Sequence, residues 1–139
     1  MENKFSMQVE AKLQNENFIR SAVANFLLPL NPTVAEINDV KTAVSEAVTN
    51  CIVHAYNNAG GIIFIECSYA DNIAKIYIKD NGQGIDDIKK AREPFFTTKA
   101  DQERSGMGFT LMETFMDDLE VSNNPQGGLC VCMTKEIRG

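Results

Sequence analysis

Three groups of residues in this 139-residue chain have types and spacings that could do chemistry together. The first is Glu46 and Asn50, an acid and an amide four residues apart inside a helical apolar pattern, so that both lie on one helix face. Taken alone, such a pair is a solvated helix surface. The second is Asp80-Asn81-Gly82-Gln83-Gly84 at the end of an alternating run. Asp80 continues the face of Ala74, Ile76 and Ile78, which turns its carboxylate into an apolar layer. A carboxylate there is costly unless a donor, such as an exocyclic amine, satisfies it. Gly82 and Gly84 remove side chains where a flat ring could approach backbone. The third is Ser105-Gly106-Met107-Gly108-Phe109 at the start of a helix, where free N–H groups and the positive dipole end favour phosphate. Each signal is weak by itself; the three in this order are much more specific.

The elements that must position them can be read from periodicity. Residues 4–12 alternate with Phe5, Met7, Val9 and Ala11 on one side, a half-buried strand. Phe18, Ile19, Ala22, Val23, Phe26 and Leu27 recur at helical spacing from Asn15 to Leu28, and Pro29 closes that helix. Thr33 with Glu36 three residues later forms a capping box, and the apolar pattern then runs as one helix from Ile37 through Val44 and Cys51 to about Asn57. Residues 62–69 and 73–80 predict a hairpin around Asp71-Asn72. Periodicity is lost over residues 81–107, apart from a turn or two of helix between Ile85 and Arg92, as expected of a long functional loop. A short helix from Gly108 and a second hairpin, residues 119–123 and 129–137, complete the chain. The predicted fold class is α+β, a two-layer sandwich of a mixed, mostly antiparallel sheet with helices on one face, in a single domain spanning 1–139.

Composition bounds the partners. A hydrophobic fraction of 44% and eight Phe supply a core. Thirteen basic against nineteen acidic residues give a net charge of −6, which argues against direct nucleic-acid binding. No apolar run has membrane-spanning length, and the expectation is a soluble cytoplasmic protein without a membrane partner. Cys51, Cys67, Cys130 and Cys132 fall inside apolar segments and are expected as free, buried thiols.

Glu46-Ala47-Val48-Thr49-Asn50-Cys51-Ile52-Val53-His54-Ala55-Tyr56 resembles the N box of the ATP-binding superfamily that includes gyrase, histidine kinases and mismatch-repair ATPases. Asp80 to Gly84 is similar to its first glycine box, Gly106-Met107-Gly108 to its second, and Glu93-Pro94-Phe95-Phe96-Thr97-Thr98-Lys99 to the segment leading into its ATP lid. This is the Bergerat-type ATP-binding fold. Within the superfamily, the short chain and its E-x-x-x-N-x-x-x-H-A-Y form most resemble bacterial anti-sigma factors of sporulation that are serine kinases. The resemblance implies that the chain sequesters a sigma factor when ATP is bound and phosphorylates a serine of an anti-anti-sigma factor, as a homodimer with the sigma factor across it. It also implies ATP and Mg²⁺ as cofactors, with ADP as product. Asn50 would hold Mg²⁺, Glu46 would be the general base, and Asp80 would accept the adenine amine. Gly82 and Gly84 would shape the adenine pocket, and Gly106, Met107 and Gly108 would contact phosphates. Lys99 and Arg104 would lie in the lid near the γ-phosphate, and Ile85, Thr98 and Phe109 would complete the ATP site. His54 is read as packing. A nucleotide-gated binding module without kinase activity is the alternative. A histidine-kinase catalytic domain is disfavoured, because residues 1–32 open with a strand where a helical hairpin bearing the acceptor His would be needed.

Overall fold

Alternation of side chains pairs two hairpins and an N-terminal strand into one five-stranded sheet, described here from a computed structural model over residues 1–93 and 108–139. The elements are β1 (Glu2–Glu10), α1 (Glu16–Leu27), α2 (Val34–Asn50), β2 (Ile62–Ala70), β3 (Ile73–Lys79), α3 (Ile88–Ala91), α4 (Gly108–Phe115), β4 (Asp118–Asn123) and β5 (Leu129–Glu136). Their order across the sheet is β1-β2-β3-β5-β4. The α+β class stands as expected, but all four pairings are antiparallel, without the mixed component. β4 does run in the same direction as β3. β5 lies between them and pairs antiparallel with both, so no parallel neighbours arise.

The inner sheet face follows from strand parity. Ile63, Ile65, Cys67 and Tyr69 on β2, Ala74, Ile76 and Ile78 on β3, and Leu129, Val131 and Met133 on β5 are all buried. Against them pack Ile19, Val23 and Leu27 of α1, Val40, Val44, Ala47 and Val48 of α2, and Met112 of α4. Phe26 of α1 meets Phe5 edge-on at 4.7 Å between centroids and Tyr69 at 5.1 Å, joining the helix to β1 and β2. All four cysteines are free. Only Cys51 and Cys67 are buried; Cys130 and Cys132 are half-buried, because they occupy the opposite parity of β5 from Leu129, Val131 and Met133, on the outer face. No described helix is long and apolar enough to cross a membrane.

Polar clamps fasten the helical layer to the C-terminal strand and its end. The predicted capping box is present: Thr33 Oγ1 accepts from Glu36 N at 3.0 Å, and Thr33 N donates to Glu36 Oε1 at 2.8 Å. Glu36 also accepts from the backbone amides of Arg138 (2.7 Å) and Gly139 (3.1 Å), so one carboxylate ties the start of α2 to the last residues. One turn further along α2, buried Lys135 donates to the carbonyl of Phe115 at 2.8 Å and lies 3.8 Å from Asp39. Arg92 pairs with Glu113 of α4 and also reaches the Leu119 carbonyl.

Backbone amides of Thr33, then of Arg138, hold the Glu36 carboxyl below its ordinary 4.5. Its contribution to stability is therefore complete above that value and is lost as pH falls through the depressed one. Glu36→Ala is expected to lower the unfolding free energy by about 1–2 kcal/mol at neutral pH. The difference from wild type should shrink as the pH falls below 4.5 and through the depressed value, as read from urea midpoints.

Candidate functional site

The helix carrying the first group does not end as an ordinary α-helix. After Asn50 the backbone widens into a π-turn, Cys51–Ala55, closed by the Tyr56 amide on the Cys51 carbonyl at 3.0 Å. The expectation of one continuous helix to about Asn57 fails here, and widened turns of this kind recur at functional sites. Two carbonyls at this end are met by the loop that follows β3. Ala55 accepts from Gln83 N at 3.1 Å, and His54 accepts from Gln83 Nε2 at 2.8 Å. The Tyr56 hydroxyl donates to the Ile62 carbonyl (2.6 Å) and accepts from Asn81 N (2.7 Å), seating the Asp80 turn against the same helix end.

Between this helix end, the loop after β3 and the start of α4 lies a cavity of about 400 Å³, within the range of roughly 300–1,000 Å³ usual for small-molecule sites. Asn50, Asp80, Gly84, Ile85, Gly108 and Phe109 all line it, so residues from all three predicted groups meet at one space. His54 lines it too and is half-buried, where packing alone was expected. Glu46 is half-buried one turn before Asn50 and is not among the lining residues. Gly82 sits behind the wall: a Cβ there would stand 2.2 Å from the Ala55 carbonyl oxygen, so its missing side chain is required by the protein's own backbone. Thr98, Lys99, Arg104, Gly106 and Met107 lie outside the described residues, as does the whole segment from Pro94 to Lys99.

Asp80 is the polar centre of this cavity. It is 2% exposed, as strand parity requires. Its Oδ1 accepts from Gly82 N at 3.0 Å and from Leu129 N at 3.2 Å; its Oδ2 accepts from the Cys51 thiol at 3.6 Å. Burial pushes the Asp80 carboxyl above its ordinary 3.8, opposed by those three hydrogen bonds. Burial, and then the neighbouring Asp80 charge, push the Cys51 thiol well up, so it remains a protonated donor.

Two residues that the sequence did not single out complete the wall. Asn123 at the end of β4 accepts from Ile85 N (3.0 Å) through Oδ1 and donates to the Ile85 carbonyl (2.9 Å) through Nδ2. It thus imitates a neighbouring strand and pins the loop beside Gly84. Gly128 has φ +90°, and a Cβ on it would lie 2.0 Å from the Asp80 carbonyl oxygen. The Gly127-Gly128 pair in the second hairpin was a signal available in the sequence, though its target 48 positions earlier was not.

Both strained φ and backbone overlap oppose a side chain at position 128. Gly128→Ala is expected to cost about 2–4 kcal/mol in urea unfolding. At exposed Gly127, where a Cβ meets nothing, alanine should cost only the penalty of its positive φ, about 1 kcal/mol.

The description of the histidine kinase-like ATPase domain matches residues 9–135. An anti-sigma F factor of Caldanaerobacter subterraneus subsp. tengcongensis is 53% identical over 135 residues, covering 97% of this chain and 94% of the relative. One from Clostridium botulinum (strain Alaska E43 / Type E3) is 54% identical over 137 residues, covering 98% and 96%. One from Bacillus licheniformis is 47% identical over 138 residues, covering 99% and 94%. Among solved structures, the RsbU and RsbW domains of a Mycobacterium tuberculosis protein align with a TM-score of 0.68 at 16% identity. That alignment covers 97% of this chain and 32% of the other, and it bears on the fold alone. With its N-box helix, buried Asp80 and glycine-started α4 around one cavity, the chain belongs to the anti-sigma F factor family of histidine kinase-like ATPase domains.

Proposed function

We propose that the chain binds Mg-ATP in this cavity, holds a sigma factor in that state, and transfers the γ-phosphoryl group to a serine of an anti-anti-sigma factor. The observation that carries this reading is the convergence of Asp80, Asn50 and Gly108 on a single space. A triphosphate nucleotide needs three things of it: an acceptor for the base amine, donors for phosphate and an oxygen for the cation.

In this reading Asp80 takes the 6-amino group of adenine through Oδ2, while Oδ1 stays engaged with backbone amides. The start of α4 at Gly108, with Gly106 and Met107 before it, supplies N–H groups to the phosphates. Thr98, Lys99 and Arg104 belong to the intervening segment; Lys99 and Arg104 would add positive charge near the γ-phosphate, and Thr98 would complete the ATP site. The amide oxygen of Asn50, half-buried on the cavity wall, suits a hard cation that keeps waters and phosphate oxygens as its other ligands. When bound, Mg²⁺ supplies neutralisation of phosphate charge. Glu46, one turn before Asn50, accepts the proton of the attacking serine hydroxyl, whose oxygen forms the new P–O bond as ADP leaves. Loss of that base in Glu46→Gln should cut phosphate transfer by about 10²–10⁴-fold, with ADP affinity retained. Transfer at the wild-type rate would remove Glu46 from the mechanism.

Glu46 lies outside the cavity lining, and this favours a second reading in which nucleotide only gates partner binding, without transfer. Incubation with Mg-[γ-³²P]ATP and an anti-anti-sigma factor separates the two: label on serine supports the kinase, none supports the gate. Pull-downs with ATP and then ADP test the partner assignment, and failure to capture a sigma factor in either state would overturn it. Sedimentation tests the homodimer.

The sign of the pH dependence follows from Asp80. The pKa of its carboxyl is raised, and the ionised form is the better acceptor for an amine at Oδ2, beside the thiol already there. ADP affinity should therefore fall with acidification, starting above the ordinary 3.8. Asp80→Asn should bind ADP weakly at every pH, as measured by calorimetry.

A further inference from the structure

The two oxygens of the Asp80 carboxylate are held unequally. Oδ1 has two backbone amides, from Gly82 and Leu129, whose positions are fixed by the turn and by β5. Among the described residues, Oδ2 has one donor, the Cys51 thiol at 3.6 Å. Two amides on a single oxygen leave the carboxylate plane free to swing about that oxygen. The thiol, on the far side, removes this freedom. Cys51 is 4% exposed and opens the π-turn, so its side-chain direction is set by the widened backbone rather than by solvent. It also lines the same cavity as Asp80. A thiol is a weak donor, so Oδ2 retains acceptor capacity for a ligand.

Building on the adenine-site reading, we infer that Cys51 is a positioning residue for base selection. Its thiol pins Asp80 Oδ2 so that the remaining lone pair faces the cavity, where a ring bearing an exocyclic amine is chosen over the same ring without one. Core packing alone would make no such distinction between ligands of nearly equal size. The thiol therefore acts through Asp80 and touches the ligand's recognition without itself having to donate to it.

The test compares ADP with purine riboside 5′-diphosphate, which lacks only the 6-amino group, by calorimetry on wild type, Cys51→Ala and Cys51→Ser. Wild type should prefer ADP. Cys51→Ala should lower that preference about fivefold, the size expected for loss of one ordinary hydrogen bond, since a thiol is a weak donor even to a carboxylate. Cys51→Ser, which keeps a donor on the same carbon, should retain most of it. If Cys51→Ala weakens both nucleotides equally, or leaves or raises the preference, the positioning role is overturned and the adenine site stands. If Cys51→Ser behaves like alanine, the hydrogen bond is likewise not the cause. If wild type binds neither nucleotide, the adenine-site reading fails and this inference with it.

Discussion

Burial of the Asp80 carboxylate is the constraint around which the rest of the cavity is arranged. Removing an ionised carboxylate from water costs several kcal/mol even after relaxation. At 2% exposure Asp80 is satisfied by partners supplied by three separate stretches of chain: the turn at Gly82, the first residue of β5 at Leu129, and the end of the N-box helix at Cys51. Each partner needs its own support. Gly82 approaches Ala55 too closely for any side chain, and Gly128 must adopt positive φ beneath the Asp80 carbonyl to deliver the Leu129 amide. The π-turn exposes the His54 and Ala55 carbonyls that Gln83 binds. Polar satisfaction of one acid thus joins helix, turn and sheet, and leaves one carboxylate oxygen weakly engaged at the cavity.

Local rules made much of this legible beforehand. Parity along β3 placed Asp80 among Ala74, Ile76 and Ile78 on the buried face, because a strand's side-chain period admits no other solution once that face is packed. The i, i+3 relation of Thr33 and Glu36 announced the start of α2, and helical spacing put Glu46 and Asn50 on one side. What escaped were features decided by distant contacts. Asn123 reaches Ile85 across 38 positions and Leu129 reaches Asp80 across 49, and no periodicity carries such information. The position of β5 between β3 and β4, which makes the sheet wholly antiparallel, is a tertiary choice of the same kind.

Other departures have equally concrete origins. A π-turn inserts into an apolar pattern without breaking it, so the run from Ile37 to Ala55 reads as uninterrupted helix although its last turn is wider. Cys130 and Cys132 sit in an apolar run whose every residue looks buried, but the single helical layer covers only one sheet face, and parity sends both thiols to the other. The family resemblance added what spacing could not, namely the identity of a ligand. The geometry then placed Asn50, Asp80, Ile85, Gly108 and Phe109 around one space, while Gly82 serves the wall from behind.

The fastening of α4 has a mechanical consequence. Lys135 grips its last carbonyl, and Arg92 holds Glu113 nearby, whereas Gly108 at the opposite tip borders the cavity. Lys135 thus ties the tail of α4 to Asp39 on α2, the helix that carries Glu46 and Asn50, so the two helices that border the cavity share one anchor at the end remote from it.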